Sequence, residues 1–140
     1  MKKTVMIFGT FDILHPGHLF FLQQAKKRGD RLVVCIARDE TVKKIKQQPP
    51  VHTEQERKKM ISAFAVVDQV ILGDKKDPYN VIKKIQPDVI ALGYDQQVFV
   101  DGLRMALQKN NLRTKIVRIS AHFPQKYASR VIKQTGQYGT

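Results

Sequence analysis

Short apolar runs alternate along the chain with longer segments in which apolar residues recur every three or four positions. The short runs predict β-strands, and the segments with helical spacing predict α-helices. The predicted strands cover residues 4–8, 31–37, 67–72, 88–92 and 114–119. The predicted helices cover residues 17–28, 39–46, 78–85, 98–110 and 127–134, with one more that starts after an N-cap at Thr53. This alternation predicts an α/β fold: a single doubly wound, Rossmann-like domain with a five-stranded, mainly parallel sheet.

The predicted fold also indicates where a ligand would bind. In doubly wound sheets, ligands lie beyond the carboxyl ends of the strands, close to the point where the strand order reverses. The first predicted strand therefore delivers the loop of residues 9–18 to that edge. We assign residues 1–140 to one domain, because this length is close to the commonest domain size, and we expect residues 135–140 to be a frayed tail.

The loop of residues 9–18 reads GTFDILHPGH and has the features of a phosphate site. Gly9 ends the strand, where the absence of a side chain lets the backbone approach a ligand closely. Pro16 suits the first turn of a helix. His15 and His18 are three residues apart, so they can share one face of that turn, whose free amides attract anions. Two imidazole N–H donors there would hydrogen-bond phosphate oxygens and stabilise the charge that develops in phosphoryl or nucleotidyl transfer.

The same two histidines could instead bind a metal ion or have a structural role. A zinc site is disfavoured, because no third Cys or His ligand lies nearby in the sequence and Asp12 alone is a poor addition. No residue is therefore assigned to a protein metal site. The single cysteine, Cys35, excludes a disulfide framework. It lies in an apolar run and is expected to be a core residue.

The chain is strongly basic, with 25 Lys and Arg residues against 12 Asp and Glu residues and a formal net charge of +13. Such a field attracts phosphates and polyanions, so a nucleic-acid-binding module is an alternative from another functional class. We disfavour it because the sequence has no basic stripe interleaved with aromatic residues and no helix-turn-helix or RNA-recognition signature. No apolar run approaches the roughly 18–20 residues that span a bilayer, and no signal peptide is evident. We therefore expect a cytoplasmic protein without a membrane partner.

The segment GTFD at residues 9–12, followed by HPGH at residues 15–18, resembles the signature of the cytidylyltransferase-like nucleotidyltransferases. The similarity continues over nearly the whole chain, through residues 33–39, 56–58, 67–68, 87–90 and 92–95. The resemblance implies an enzyme that transfers a nucleotidyl group from ATP or CTP to a phosphate monoester and releases pyrophosphate. It further implies a homodimer and a divalent cation, Mg²⁺, that binds together with the NTP.

By this resemblance, His15 and His18 contact the nucleotide phosphates and stabilise the transition state. Contacts to the nucleotide or the acceptor are also expected from the rest of the loop, namely Gly9, Thr10, Phe11, Asp12 and Gly17. Asp12 is in addition a weak candidate to order Mg²⁺ through water.

Cationic residues in other segments extend the implied site. Similar enzymes use a lysine before the Pro-Pro loop to reach the acceptor phosphate or the triphosphate. We favour Lys44 or Lys43 over Lys46 without choosing between the first two, and a solvated face remains the alternative. Arg57 resembles the family's helix arginine, which contacts acceptor and phosphate, and a guanidinium matches phosphate oxygens well. Arg118 resembles the family's arginine just before the last helix.

Two further segments match the family pattern less completely. Gly93 and Asp95 follow a predicted strand, where they would contact the base or ribose of the nucleotide. The family's C-terminal signature is Ile-Ser-Ser-Thr followed by Lys or Arg, and the nearest match here is YASRVIK at residues 127–133. Ser129 keeps one hydroxyl, whereas Ala128 and Arg130 depart from the signature. Ser129 and Arg130 are still expected at the triphosphate, although the departure leaves an inactive nucleotide-binding regulator as a further alternative.

The acceptor and the nucleotide are indicated by finer similarities. Residues 34–39, 92–96 and 115–120 look closest to the archaeal-type FAD synthetases, which implies the reaction of ATP with FMN to give FAD and pyrophosphate. Residues 77–88 are also similar to heptose adenylyltransferases. Glycerol-3-phosphate cytidylyltransferase, or another sugar- or alcohol-phosphate nucleotidyltransferase, is the alternative within the same class.

Overall fold

The structure, a computed structural model, describes residues 2–77, 79–93 and 98–119, without the side chains of residues 98–101. The strands are β1 (Thr4–Gly9), β2 (Arg31–Ile36), β3 (Gln69–Leu72), β4 (Val89–Gly93) and β5 (Lys115–Ile119). The helices are α1 (Pro16–Lys26), α2 (Asp39–Lys46), α3 (Glu54–Ser62), α4 (Asn80–Ile85) and α5 (Val98–Lys109). These elements confirm the predicted alternation, while the predicted helix 127–134 and the tail 135–140 lie outside the described residues.

The five strands form one sheet in the order β3-β2-β1-β4-β5, and all four pairings are parallel. The central strand β1 pairs Met6 with Val33 of β2 on one side and with Ile90 of β4 on the other. The order of the sheet reverses between β1 and β4. This arrangement confirms the doubly wound α/β fold and places the predicted ligand edge at the ends of these two strands.

Two apolar layers cover the two faces of the sheet. One layer includes Phe21 and Leu22 of α1 and Ile61 of α3, and the other includes Ile82 of α4 and Leu103 of α5. Because both faces are covered, the strands β1, β2 and β4 consist of near-continuous buried apolar residues, as parallel sheets require. None of the described helices is both long enough and apolar enough to cross a membrane.

Two local predictions about side chains are confirmed. Cys35 is a buried residue of the second apolar layer, and burial raises the pKa of its thiol to about 12, so it stays protonated. Helix α3 begins with a capping box, in which Thr53 accepts a hydrogen bond from the Glu56 amide while the Glu56 carboxylate accepts one from the Thr53 amide. This cap fixes the start of the helix that carries Arg57.

Candidate active site

The site lies where β1 and β4 end side by side. Gly9 is the last residue of β1, Gly93 is the last residue of β4, and helix α1 begins at Pro16 after the intervening loop. The structure therefore brings the loop of residues 9–18 to the point where the strand order reverses, as predicted from the sequence. Helix α1 starts at this edge, and the Gly17 and His18 amides of its first turn both donate to His15.

His15 and His18 form a reciprocal cap at the start of α1. The Gly17 amide donates to Nδ1 of His15 at 3.0 Å, and the His15 amide donates to Nδ1 of His18 at 3.2 Å. The two rings pack with their centroids 4.0 Å apart. Because Nδ1 of each ring accepts a backbone hydrogen bond, the proton of each neutral ring is on Nε2. The sequence predicted two donors in this turn, and the backbone contacts specify which nitrogen donates.

Burial lowers the pKa of both rings and favours their neutral forms. Desolvation lowers the pKa of His15, and it lowers the pKa of His18 to about 3, with smaller contributions from the charges of His15 and Lys46. The His18 side chain is only 1% exposed, and within the described residues its Nε2 has no hydrogen-bond partner. Leaving a buried donor without a partner costs free energy, which a ligand oxygen would recover. His18 therefore offers a neutral Nε2–H group to a phosphate.

Lys46, rather than Lys43 or Lys44, is the lysine that the structure brings to the histidines. Val42 of α2 is buried, and Lys46 lies four residues later on the same helix face. The Lys46 Nζ atom is buried and its charge lowers the pKa of His18. Lys43 and Lys44 are exposed. Sequence reasoning named the other two lysines, although the spacing from the apolar Val42 could have indicated Lys46.

Asp12 is completely buried and connects the first loop to the loop before α3. Its two carboxylate oxygens accept hydrogen bonds from the amides of Val51 at 2.7 Å and His52 at 2.8 Å. The predicted nucleotide contact of Asp12 stays a prediction, because what the structure gives is a link between two segments of the chain.

Arg57 is also completely buried, and its guanidinium donates to four acceptors from three segments of the chain. Nη1 donates to the carbonyl oxygens of Thr10 at 2.9 Å and Ala37 at 2.8 Å, and Nε donates to the His52 carbonyl at 3.0 Å. Nη2 donates to the Asp39 carboxylate at 2.7 Å. The predicted contact of Arg57 with acceptor or phosphate stays untested. The structure instead places this residue behind the loop that would hold the phosphates.

A second, partly exposed arginine extends this network at the carboxyl ends of β1 to β3. Arg38 donates to the Gly73 carbonyl at 2.7 Å and to the Glu54 carboxylate at 2.9 Å. The other Glu54 oxygen accepts from the Asp39 amide at 2.9 Å. The start of α2 is thus bonded to α3 through both Arg57 and Glu54. We call Asp12, Arg38, Asp39, Glu54 and Arg57 the polar network.

Phe11 has a backbone conformation that is uncommon for a residue with a side chain. Its φ is 52°, in the left-handed region, which costs an L-residue about 1 kcal/mol or more. The Phe11 side chain is fully buried in the apolar layer, and its ring lies 5.6 Å from the His18 ring. Such a conformation persists where its surroundings determine it. The turn from β1 into the histidine loop is therefore set by tertiary contacts.

Arg118 and Gly93 meet at the end of β4. Arg118 is exposed, and its Nη1 donates to the Gly93 carbonyl at 2.6 Å. The structure thus places both predicted residues at the ligand edge. The predicted nucleotide contacts of Asp95, Ser129 and Arg130 lie outside the described residues.

A protein metal site is not found in the described part of the chain, which contains no group of three or more His, Cys, Asp or Glu side chains able to hold an ion. The histidine nitrogens Nδ1 already accept amide hydrogen bonds, and so do both oxygens of Asp12. In this structure these side-chain atoms therefore serve as acceptors for backbone amides.

Comparison with known proteins connects this geometry to a family. Residues 6–135 match the family model described as cytidylyltransferase-like. A curated FAD synthase of Ferroglobus placidus is 49% identical over 122 residues, which is 86% of this chain and 78% of the relative. A curated FAD synthase of Archaeoglobus profundus is 44% identical over 133 residues, which is 93% of this chain and 84% of the relative.

A solved structure gives the same result for the fold. The lipopolysaccharide core biosynthesis protein from Thermoplasma volcanium is 41% identical, with a TM-score of 0.81. The match covers 87% of this chain and 99% of that protein. The sheet and helices described above are therefore shared with an independently solved structure over almost its entire length.

Proposed function

Because the chain belongs to the cytidylyltransferase-like family of nucleotidyltransferases, we propose that it transfers the adenylyl group of ATP to FMN, forming FAD and pyrophosphate. The family model covers most of the chain, and the FAD synthase relatives match it over most of their own length. The observation that carries the proposal is the histidine pair at the switch point, in which the buried Nε2 of His18 has no hydrogen-bond partner among the described residues and the Lys46 charge lies close to it.

The chemistry of the reaction suits this set of residues. An oxygen of the FMN phosphate attacks the α-phosphorus of ATP, the bond from that phosphorus to the bridging oxygen breaks, and pyrophosphate leaves with the electron pair. A phosphate monoester has a second pKa of about 6, so the acceptor is already largely dianionic at neutral pH. No general base is required. The enzyme must instead align two anions and stabilise the charge on the phosphates.

The described side chains would divide this work between hydrogen bonding and charge. The Nε2–H groups of His15 and His18 would donate to the phosphate oxygens. Because the pKa of each ring is lowered, the neutral imidazole is favoured as the donor. The Lys46 ammonium compensates the negative charge of the same phosphates. Arg118 of β5, which donates to the Gly93 carbonyl at the end of β4, adds a further cation at the ligand edge. Each contact strengthens as charge moves onto the leaving pyrophosphate.

We also propose three properties that follow from the family resemblance. Mg²⁺ enters as part of the nucleotide substrate, the active form is a homodimer, and the protein is cytoplasmic. Mg²⁺ would neutralise part of the triphosphate charge. Light scattering of the purified protein measures the oligomeric state, and the proposal expects twice the monomer mass of 16.1 kDa.

The deciding experiment is a matrix of ATP, CTP, GTP and UTP against FMN, glycerol 3-phosphate, sugar phosphates and phosphoethanolamine, with Mg²⁺ present. Pyrophosphate release is the common readout, and FAD fluorescence identifies the flavin product. We expect the highest kcat/KM for ATP with FMN. Preference for another nucleotide or acceptor would replace the substrate assignment while keeping the reaction class. No turnover by the folded protein in any combination would overturn both.

A further inference from the structure

The contacts of the polar network show what the guanidinium of Arg57 binds, which the sequence motif of the first loop does not. Arg57 would serve as a phosphate-binding residue only if its guanidinium could reach the site. However, the side chain is 0% exposed, and all three of its nitrogens donate within the protein. Three of the four acceptors are backbone carbonyls, from the ends of β1 and β2 and from the loop before α3. A guanidinium in this position orders the backbone.

Among these acceptors, the Thr10 carbonyl bears most directly on the site, because Thr10 lies in the loop of residues 9–18. The sheet ladder between β1 and β2 ends with the Ala37 amide donating to the Gly9 carbonyl at 3.0 Å. Immediately beyond it, Nη1 of Arg57 bonds the carbonyls of both Thr10 and Ala37. The Thr10 carbonyl is therefore directed toward the guanidinium.

In a planar trans peptide, the C=O and the following N–H point in opposite directions. The Phe11 N–H therefore points away from Arg57. Among the described residues it has no hydrogen-bond acceptor. Phe11 is also the residue with the left-handed φ of 52°, so rotation of the Thr10–Phe11 peptide is the local change that its surroundings must prevent.

We propose that Arg57 is a positioning residue, which holds the Thr10–Phe11 peptide so that the Phe11 N–H is a preorganised donor to the nucleotide phosphates. Arg57 itself does not touch substrate. This inference deepens the proposed function and rests on it for the identity of the nucleotide. Asp12 assists from the other side, because its carboxylate bonds the His52 amide while Arg57 bonds the His52 carbonyl.

The test compares Arg57→Lys with wild type, and Arg57→Met serves as a second, more disruptive variant. A lysine keeps the charge but cannot bond the Thr10, Ala37 and His52 carbonyls together with Asp39. Arg28→Lys is the matched control, because Arg28 is exposed at the end of α1. Far-ultraviolet circular dichroism and the sheet amide resonances establish that each variant is folded before any other measurement.

The first readout is the Phe11 amide resonance during titration with Mg·ATP in the absence of FMN. We expect a downfield proton shift in wild type and Arg28→Lys, reduced by at least half in folded Arg57→Lys. A full shift in Arg57→Lys would overturn the proposal. So would the absence of any shift in wild type that binds Mg·ATP. Since this readout needs no turnover, it stands even if FAD is not the product.

The second readout is the split between kcat and KM for ATP and FMN. Loss of one preorganised backbone donor should lower kcat by about 100-fold. KM for ATP should rise by no more than about 3-fold, because the Phe11 N–H contacts the bound phosphates only weakly in the ground state and the contact strengthens as charge develops in the transition state. A raised KM with unchanged kcat would make Arg57 a substrate contact and overturn the positioning role.

Discussion

The histidine pair and the polar network both lie at the same edge of the sheet, but their buried polar atoms differ in whether they have hydrogen-bond partners within the protein. Nδ1 of His15 and of His18 accepts a backbone amide, while Nε2 of His18 is buried and has no partner among the described residues. Arg57 and Asp12 are equally buried, but their polar atoms bond the backbone of several segments. The family resemblance implied ligand contacts for members of both groups, namely the two histidines, Asp12 and Arg57. The hydrogen bonds therefore separate His18, whose Nε2 can donate to a ligand, from Asp12 and Arg57, which hold the backbone of the site in place.

Replacing His18 should give the largest loss of activity. In His18→Asn, the side-chain oxygen can still accept the His15 amide, but the Nε2–H donor is lost. In His18→Gln, the side-chain amide approximates the donor at the Nε2 position. We expect kcat to fall by about 10³-fold for the first variant and distinctly less for the second. Steady-state FAD formation measures both, and equal loss in the two variants would contradict the assignment of Nε2 as the donor.

Lys46 provides the next comparison, because Lys43 and Lys44 belong to the same short helix. Lys46→Met should lower kcat/KM by about 100-fold, since it removes the buried charge beside His18 and the phosphates. Lys43→Met and Lys44→Met should each change kcat/KM by less than about 3-fold, because exposed lysines are screened by solvent. Similar losses in all three variants would indicate a diffuse basic surface instead of one directed lysine.

Asp12 should affect stability more than chemistry. In Asp12→Asn the side-chain NH₂ opposes a backbone N–H, so one of the two bonds to the residues 51–52 segment is lost. We expect the free energy of unfolding to fall by about 2 kcal/mol in urea denaturation. Asp30→Asn is the control, because Asp30 also accepts a backbone amide at 2.8 Å but is exposed. Its expected cost is below about 1 kcal/mol. A larger effect of Asp12→Asn on KM than on stability would favour a direct nucleotide contact.

The buried histidine also predicts a dependence of stability on pH. The pKa of His18 is lowered to about 3 in the folded protein from an ordinary value of 6.5, so the unfolded chain binds the proton more readily. The stabilisation is complete above about pH 6.5 and is lost as the pH falls toward 3. Between these two values, the free energy of unfolding falls by up to about 1.4 kcal/mol for each pH unit of acidification. Urea unfolding of wild type and His18→Asn between pH 7 and 4 measures it. Parallel curves for the two proteins would contradict a buried, neutral His18.

The sequence predicted the fold and the position of the site because both depend on local patterns. Strand and helix follow from apolar spacing, and parallel strands bring their carboxyl ends to one edge, so the loop of residues 9–18 could be placed. The roles proposed for Lys46 and Arg57 were missed for different reasons, because the spacing from Val42 could have indicated Lys46 whereas no local pattern indicates the contacts of Arg57. Lys46 differs from Lys43 and Lys44 only in the face of α2 that it occupies. Arg57 bonds carbonyls up to 47 residues away, and that arrangement exists only in the folded chain.

The protonation state of His18 tests the central claim most directly, because the account requires a neutral ring that donates through Nε2. Ring nitrogen shifts of His18 in the ligand-free protein, recorded by NMR from pH 8 to pH 5, give both the charge and the tautomer. The predicted result is a neutral ring with its proton on Nε2 throughout this range, since burial lowers the pKa to about 3. Addition of Mg·ATP should then shift Nε2 while the ring stays neutral. Protonation of the ring near pH 6.5, or a neutral ring with its proton on Nδ1, would contradict it.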